Sequence, residues 1–76
     1  MSQTLKIKLK GQRKLVVVPE VKKVKVITED SIITADIKDF FRIGQAEQYL
    51  FVNENNEETG ILATNVADVQ YQNSKN

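Results

Sequence analysis

The chain opens on a strict alternation. Leu5, Ile7 and Leu9 take turns with Lys6, Lys8 and Lys10. Successive side chains of a strand point to opposite faces, so the spacing predicts a strand with one apolar and one lysine face. Gly11-Gln12-Arg13 supplies turn chemistry, with Gly11 able to take a positive φ. Leu15-Val16-Val17-Val18 follows, and residues 4–18 read as a β-hairpin. Pro19 is expected to end it, because proline cannot donate to a ladder.

The same reading continues downstream. Val21 to Thr28 is a third strand, with Val24 and Val26 inward and Lys23 and Lys25 outward. Glu29-Asp30-Ser31 is a turn. Ile33, Ala35 and Ile37 alternate with Thr34, Asp36 and Lys38, which predicts a fourth strand. Residues 36–43 fit either a short helix, with Asp36 as N-cap and Gly44 just past its end, or the strand continuing through a bulge. The strand is favoured, because the segment is shorter than a typical helix. Tyr49 to Val52 is a fifth strand and residues 53–60 a polar hairpin loop. Ile61 to Ala63 and Val66 to Tyr71 complete the set, and residues 72–76 read as a disordered polar tail.

Composition strengthens this reading. Val, Ile and Thr together number 21, against five Leu and four Ala. Branching at Cβ restricts χ1 in a helix but packs well on a pleated surface. Short strands with turn signals between them predict an all-β fold: a small, partly open barrel of five to seven strands, with room for one short helix or 3₁₀ turn. Residues 1–71 make one such domain, with no internal repeat or linker. Closing a sheet removes edges, which a β-rich chain must protect. Lys14 and Pro19-Glu20 flank the apolar run from Leu15 to Val18 as gatekeepers against aggregation.

Residues 59–69, Thr-Gly-Ile-Leu-Ala-Thr-Asn-Val-Ala-Asp-Val, resemble the end of a Src-homology-three domain. There a Gly starts a strand, two apolar residues follow, and a single 3₁₀ turn leads into the last strand. The resemblance places Ile61, Leu62, Val66 and Val69 at the apolar positions and Asn65 in the turn. The usual Pro of that turn is Ala63, and the family's aromatic segment and groove tryptophan are missing. It therefore implies a barrel and not polyproline binding. Val24 to Val69 is also similar to Sm-like barrels, which assemble into rings on RNA. Their Asp-Gly turn appears as Glu29-Asp30-Ser31, and their Arg-Gly RNA-contact motif has no counterpart near Ala63-Thr64-Asn65. Fold alone does not carry function.

Charge changes the picture. The chain of 76 residues has a formal net charge of +1. Residues 1–26 hold eight basic residues against Glu20 alone, a net +7. Residues 27–76 hold three basic residues against nine acids, a net −6. Such asymmetry points to nucleic acid or a basic arm. It also fits basic and acidic strands that lie side by side and neutralise each other, and that reading is preferred.

Several chemistries fall away. With no Cys and no His, a disulfide framework, the usual zinc sites, cysteine or Ser–His nucleophiles and a histidine switch are excluded. Asp36 with Asp39, or Glu29 with Asp30, supplies paired carboxylates, but acid–base work needs them in a cleft with shifted pKa values. Asn55, Glu57 and Glu58 lack the spacing of a calcium loop. No cofactor, metal or small-molecule substrate is inferred, and the chain reads as a non-enzyme. Its longest apolar run, Leu15 to Val18, is far short of the roughly 20 residues of a membrane span. The amino terminus lacks the pattern of a signal peptide, so a cytoplasmic location is expected. Richness in Lys, Ile, Asn and Glu points to an AT-rich coding genome, bacterial or phage.

Two binding readings remain. In the leading one, the chain is a protein-interaction module that binds a partner protein or another copy of itself. Phe40 and Phe41 are adjacent on a presumed strand, so one of them must point outward beside Arg42. Phe40, Phe41, Arg42 and Tyr49 are its candidate contacts. The alternative is nonspecific RNA or DNA binding through Lys6, Lys8, Lys10, Arg13, Lys14, Lys22, Lys23 and Lys25. Single-strand binders add stacking aromatics, and none of the five aromatics lies in the basic third of the chain.

Overall fold

The structure is a computed structural model that describes residues 3–73. Its six strands are β1 (Gln3–Leu9), β2 (Leu15–Ile27), β3 (Ile32–Ala35), β4 (Gln48–Asn53), β5 (Glu58–Leu62) and β6 (Val66–Asn73). All pairings are antiparallel. The order across the sheet is β5-β4-β2-β1-β6, with β3 also beside β2. The all-β fold is as the residue pattern predicts. The sheet does not close, and β5 and β6 are its two ends.

The hairpin expected over residues 4–18 forms. Gly11 takes φ 74° in its connection, and the Gln12 amide donates to the Leu9 carbonyl at 3.2 Å. Pro19 does not end the strand, which is a correction. β2 runs on through Pro19 and Glu20 to Ile27, so the expected third strand is its second half. The register explains how. Leu5 pairs with Val18 and Gln3 with Val21, so Thr4 alone stands opposite Pro19 and Glu20. Proline is tolerated in a bulge, where no ladder donor is needed. Glu20 takes a positive φ of 54° there. A second shift on the β4 side pairs Val21 with Asn53 and Lys23 with Val52, which leaves Lys22 extra. Bulges bend and twist a strand. These two hand β2 over from β1 to β4.

The strand favoured for residues 36–43 is also corrected. β3 ends at Ala35, residues 37–39 turn, and Phe40–Arg42 form a 3₁₀ turn. The Asp39 and Phe40 amides both donate to the Asp36 carbonyl at 3.1 Å, so Asp36 starts the turn through its backbone. Further along, β5 begins at Glu58, inside the expected loop. Ala63 leaves the strand to open a second 3₁₀ turn, Ala63–Asn65, where the resemblance placed one. Gln72 and Asn73, expected in the tail, pair with Thr4 and Gln3 in β6, and residues 74–76 lie outside the described chain.

One apolar cluster holds the fold. Leu5, Ile7, Val18, Val21, Val24, Val26, Ile37, Phe40, Tyr49, Phe51 and Val66 are buried together. In the second half of the sheet Val24 sits between Ala35 and Phe51, and Val26 between Ile33 and Tyr49. The alternating residues Lys23, Lys25, Gln48, Leu50 and Val52 therefore face outward. No helix among the described residues is long and apolar enough to cross a membrane.

Candidate protein-interaction surface

The first 3₁₀ turn separates two neighbouring rings. Phe40 is fully buried, while Phe41 is 41% exposed. Ile37, Phe40 and Ile43 all pack on the core. Their spacing of three is the period of a 3₁₀ helix, which stacks every third side chain on one side and leaves Phe41 outside it. Phe40 meets Tyr49 and Phe51 edge-on, with centroids 5.1 and 5.4 Å away. Phe41 lies 6.1 Å from Phe40 and 6.4 Å from Tyr49. Aromatic pairs at such separations contribute about 0.5–1.5 kcal/mol beyond area burial. A rigid aromatic base thus supports an exposed ring.

The other candidates divide. Arg42 is exposed beside Phe41. Tyr49 is only 4% exposed and forms part of the floor. Tyr71, which the residue pattern did not single out, belongs with them. Its partner across the ladder is the core residue Leu5, so it faces inward, yet it stays exposed near the end of β6. Burial of its phenol raises its pKa above 10.0; the Asp39 charge adds to the rise and Arg42 opposes it. Asp39, Arg42 and Tyr71 therefore share one neighbourhood. No local pattern announces this, because it depends on β6 folding back onto β1.

The basic residues fall into two groups, one at the first hairpin and one on the second half of β2. Lys6 and Lys8 project from β1, with Lys8 opposite Asp68 and Lys6 opposite Gln70. Lys10, Arg13 and Lys14 lie exposed in the first hairpin connection. Lys22 Nζ donates to Asn56 Oδ1 at 2.6 Å. Lys25 Nζ donates to Glu58 Oε2 at 2.8 Å. Lys23 is half-buried on β2 beside Val52 of β4. Val17, opposite Lys6, is six residues from Lys23 along β2, roughly 20 Å at strand rise. The basic set is thus split along a bent strand, and part of it is answered by acidic or amide groups at home.

The carboxylates expected to be solvated are all exposed: Glu29, Asp30, Asp36 and Asp39. In the β4–β5 connection the Asn53 side chain does structural work. Its Oδ1 accepts from the Asn55 and Glu57 amides, and its Nδ2 donates to Glu57 Oε1, all at 2.9 Å. Asn56 takes φ 63° in this turn, a conformation asparagine tolerates. Comparison with known proteins finds no matching family model, curated protein or solved structure.

Proposed function

We propose that this chain is a non-enzymatic interaction module that holds a partner protein at Phe41, Arg42 and Tyr71. The observation that carries the reading is the exposed Phe41 ring standing on the buried Phe40–Tyr49–Phe51 group. A rigid aromatic costs little conformational entropy to dock, and aromatic and arginine side chains are the commonest energetic anchors of interfaces. The exposure of Glu29, Asp30, Asp36 and Asp39 supports binding rather than catalysis. The finer likeness to Src-homology-three-like and Sm-like barrels is part of this proposal. It draws on the bent β2 shared by two halves of the sheet and on the 3₁₀ turn before the last strand. It concerns architecture and lends no partner.

The nucleic-acid reading is the weaker. Lys25 and Lys22 have acceptors within the chain, and Lys8 faces Asp68. The experiment compares native protein with Phe41→Ser as immobilised bait, with quantitative identification of what each retains. A protein retained by the native chain and lost by the variant is the expected result. Equal retention by both contradicts the reading. Binding of a labelled single-stranded oligonucleotide that falls steeply with salt would favour the lysines instead.

A further inference from the structure

The outward face of β2, β4 and β5 carries an order that the Phe41 surface does not use. Three cross-strand rows can be read from the register. The first is Ile27, Gln48 and Leu62, extended on the other side of β2 by Ile32. The second is Lys25, Leu50 and Gly60. The third is Lys23, Val52 and Glu58. Ile32 and Leu62 are 65% and 54% exposed, the former more open than any other large apolar side chain among the described residues. Grouped exposed apolar side chains mark contact surfaces more often than scattered ones do.

Part of this face is already dressed. Glu58 lies two strands from Lys25, with β4 between them. To reach Glu58 at 2.8 Å, the Lys25 stem must cross β4 beside Leu50 and Val52. Lysine stems cover apolar surface in this way while the ammonium stays wet. This accounts for Val52, which faces outward and is yet 3% exposed. Lys23, the other cation of the face, has no hydrogen bond or ion pair among the described residues.

The charge pattern selects the occupant. Lys23 and Glu58 stand at equal distances on either side of β4 in one row. A two-fold axis along β4 would carry each residue of the face over its mirror position on a second copy. Lys23 of each chain would then lie over Glu58 of the other, twice. Ile27 would lie over Leu62, also twice, with Ile32 overhanging its outer side. Glu58 Oε2 already holds Lys25 of its own chain, so Lys23 of the other copy would bind the second oxygen of that carboxylate, and no like charges oppose one another in the first row. Sheets that pack face to face keep their strands within about 30°, so three neighbouring strands can hold such a match. Isologous contacts require this kind of self-complementarity.

We infer that this outward face is a homodimer interface, with a second copy of the chain as its occupant. It lies on the side of the sheet away from Phe41 and stands independently of the function proposed for that residue. The test is sedimentation velocity with light scattering on the full chain, from micromolar to millimolar concentration. A reversible species of two-chain mass is expected. Lys23→Glu sets like charges across the interface and should weaken association at least about tenfold. Because Glu58 also holds Lys25 of its own chain, the exchange is completed by adding both Lys25→Glu and Glu58→Lys, which restores both pairings with reversed sign and should recover most of the loss. Leu62→Asp should also dissociate the dimer. Leu62 is exposed, so circular dichroism should show a native fold in that variant. Phe41→Ser should leave association unchanged. A one-chain mass at every concentration overturns the inference. So does a charge-exchanged triple variant as weak as Lys23→Glu, or a dimer lost with Phe41→Ser and kept with Leu62→Asp.

Discussion

Phe40 and Phe41 are neighbours in the chain and opposites in the structure: one ring is sealed in the core and the other stands 41% open, their centroids 6.1 Å apart. A strand would also have sent them to opposite sides. The 3₁₀ turn does more, because it places the buried ring under the exposed one and fixes the base of a contact surface.

The two rings should respond differently to truncation. Phe40→Ala empties a fully buried site and should cost about 3–5 kcal/mol. That is a large share of the 5–15 kcal/mol typical of a domain. Phe41→Ala loses an exposed ring and two loose aromatic neighbours, and should cost under about 1.5 kcal/mol. Urea midpoints of the two variants check this; equal losses would contradict the assigned exposures.

Glu20 holds φ 54° at the bulge that turns β2. A left-handed conformation costs a residue with a long side chain roughly 1–2 kcal/mol, and asparagine adopts it more readily. The Glu20 carbonyl accepts from the Glu54 amide at 3.0 Å, a backbone bond that substitution leaves in place. Glu20→Asn should therefore raise stability by about 0.5 kcal/mol. A lowered denaturation midpoint would argue that the bulge is not strained at this residue.

The two tyrosines make an alkaline prediction. Burial raises both phenols above 10.0; at Tyr71 Asp39 adds to the rise and Arg42 opposes it. Each phenol then holds its proton more tightly folded than unfolded. Its contribution to stability is complete below pH 10.0 and is lost as pH rises through the native pKa. The difference between native protein and Tyr49→Phe isolates the effect. The variant should lose less stability between about pH 8 and about pH 11 than the native chain does. Absorbance titration should place native tyrosinate formation above that of the urea-unfolded chain; the reverse order would refute the shift.

The parts of the fold written in short alternations were legible. Leu5, Ile7 and Leu9 announce β1, and Val24 and Val26 announce the inward side of β2. Pro19 misled because its rule is local. Proline does end a regular ladder, but the pairing of Gln3 with Val21 opens a bulge in which its missing donor is harmless. The 3₁₀ turn had a signal that alternation hid: Ile37, Phe40 and Ile43 at intervals of three. For the site, the strand reading puts one Phe outward beside Arg42; Phe41 is exposed there, but through the 3₁₀ turn and not through a strand. Tyr71 and the rows that join Ile32 to Leu62 were out of reach, because they exist only through long-range register.

Phe41 is the proposed point of protein contact. Its most direct test replaces Phe41 with the photoreactive analogue p-benzoylphenylalanine and irradiates living cells. The same label at Val17, exposed opposite Lys6 and roughly 20 Å along β2 from Lys23, serves as the control. A discrete protein adduct from position 41 and none from position 17 is the predicted result. Identical patterns from the two positions, or an adduct to nucleic acid alone, would contradict protein contact at Phe41.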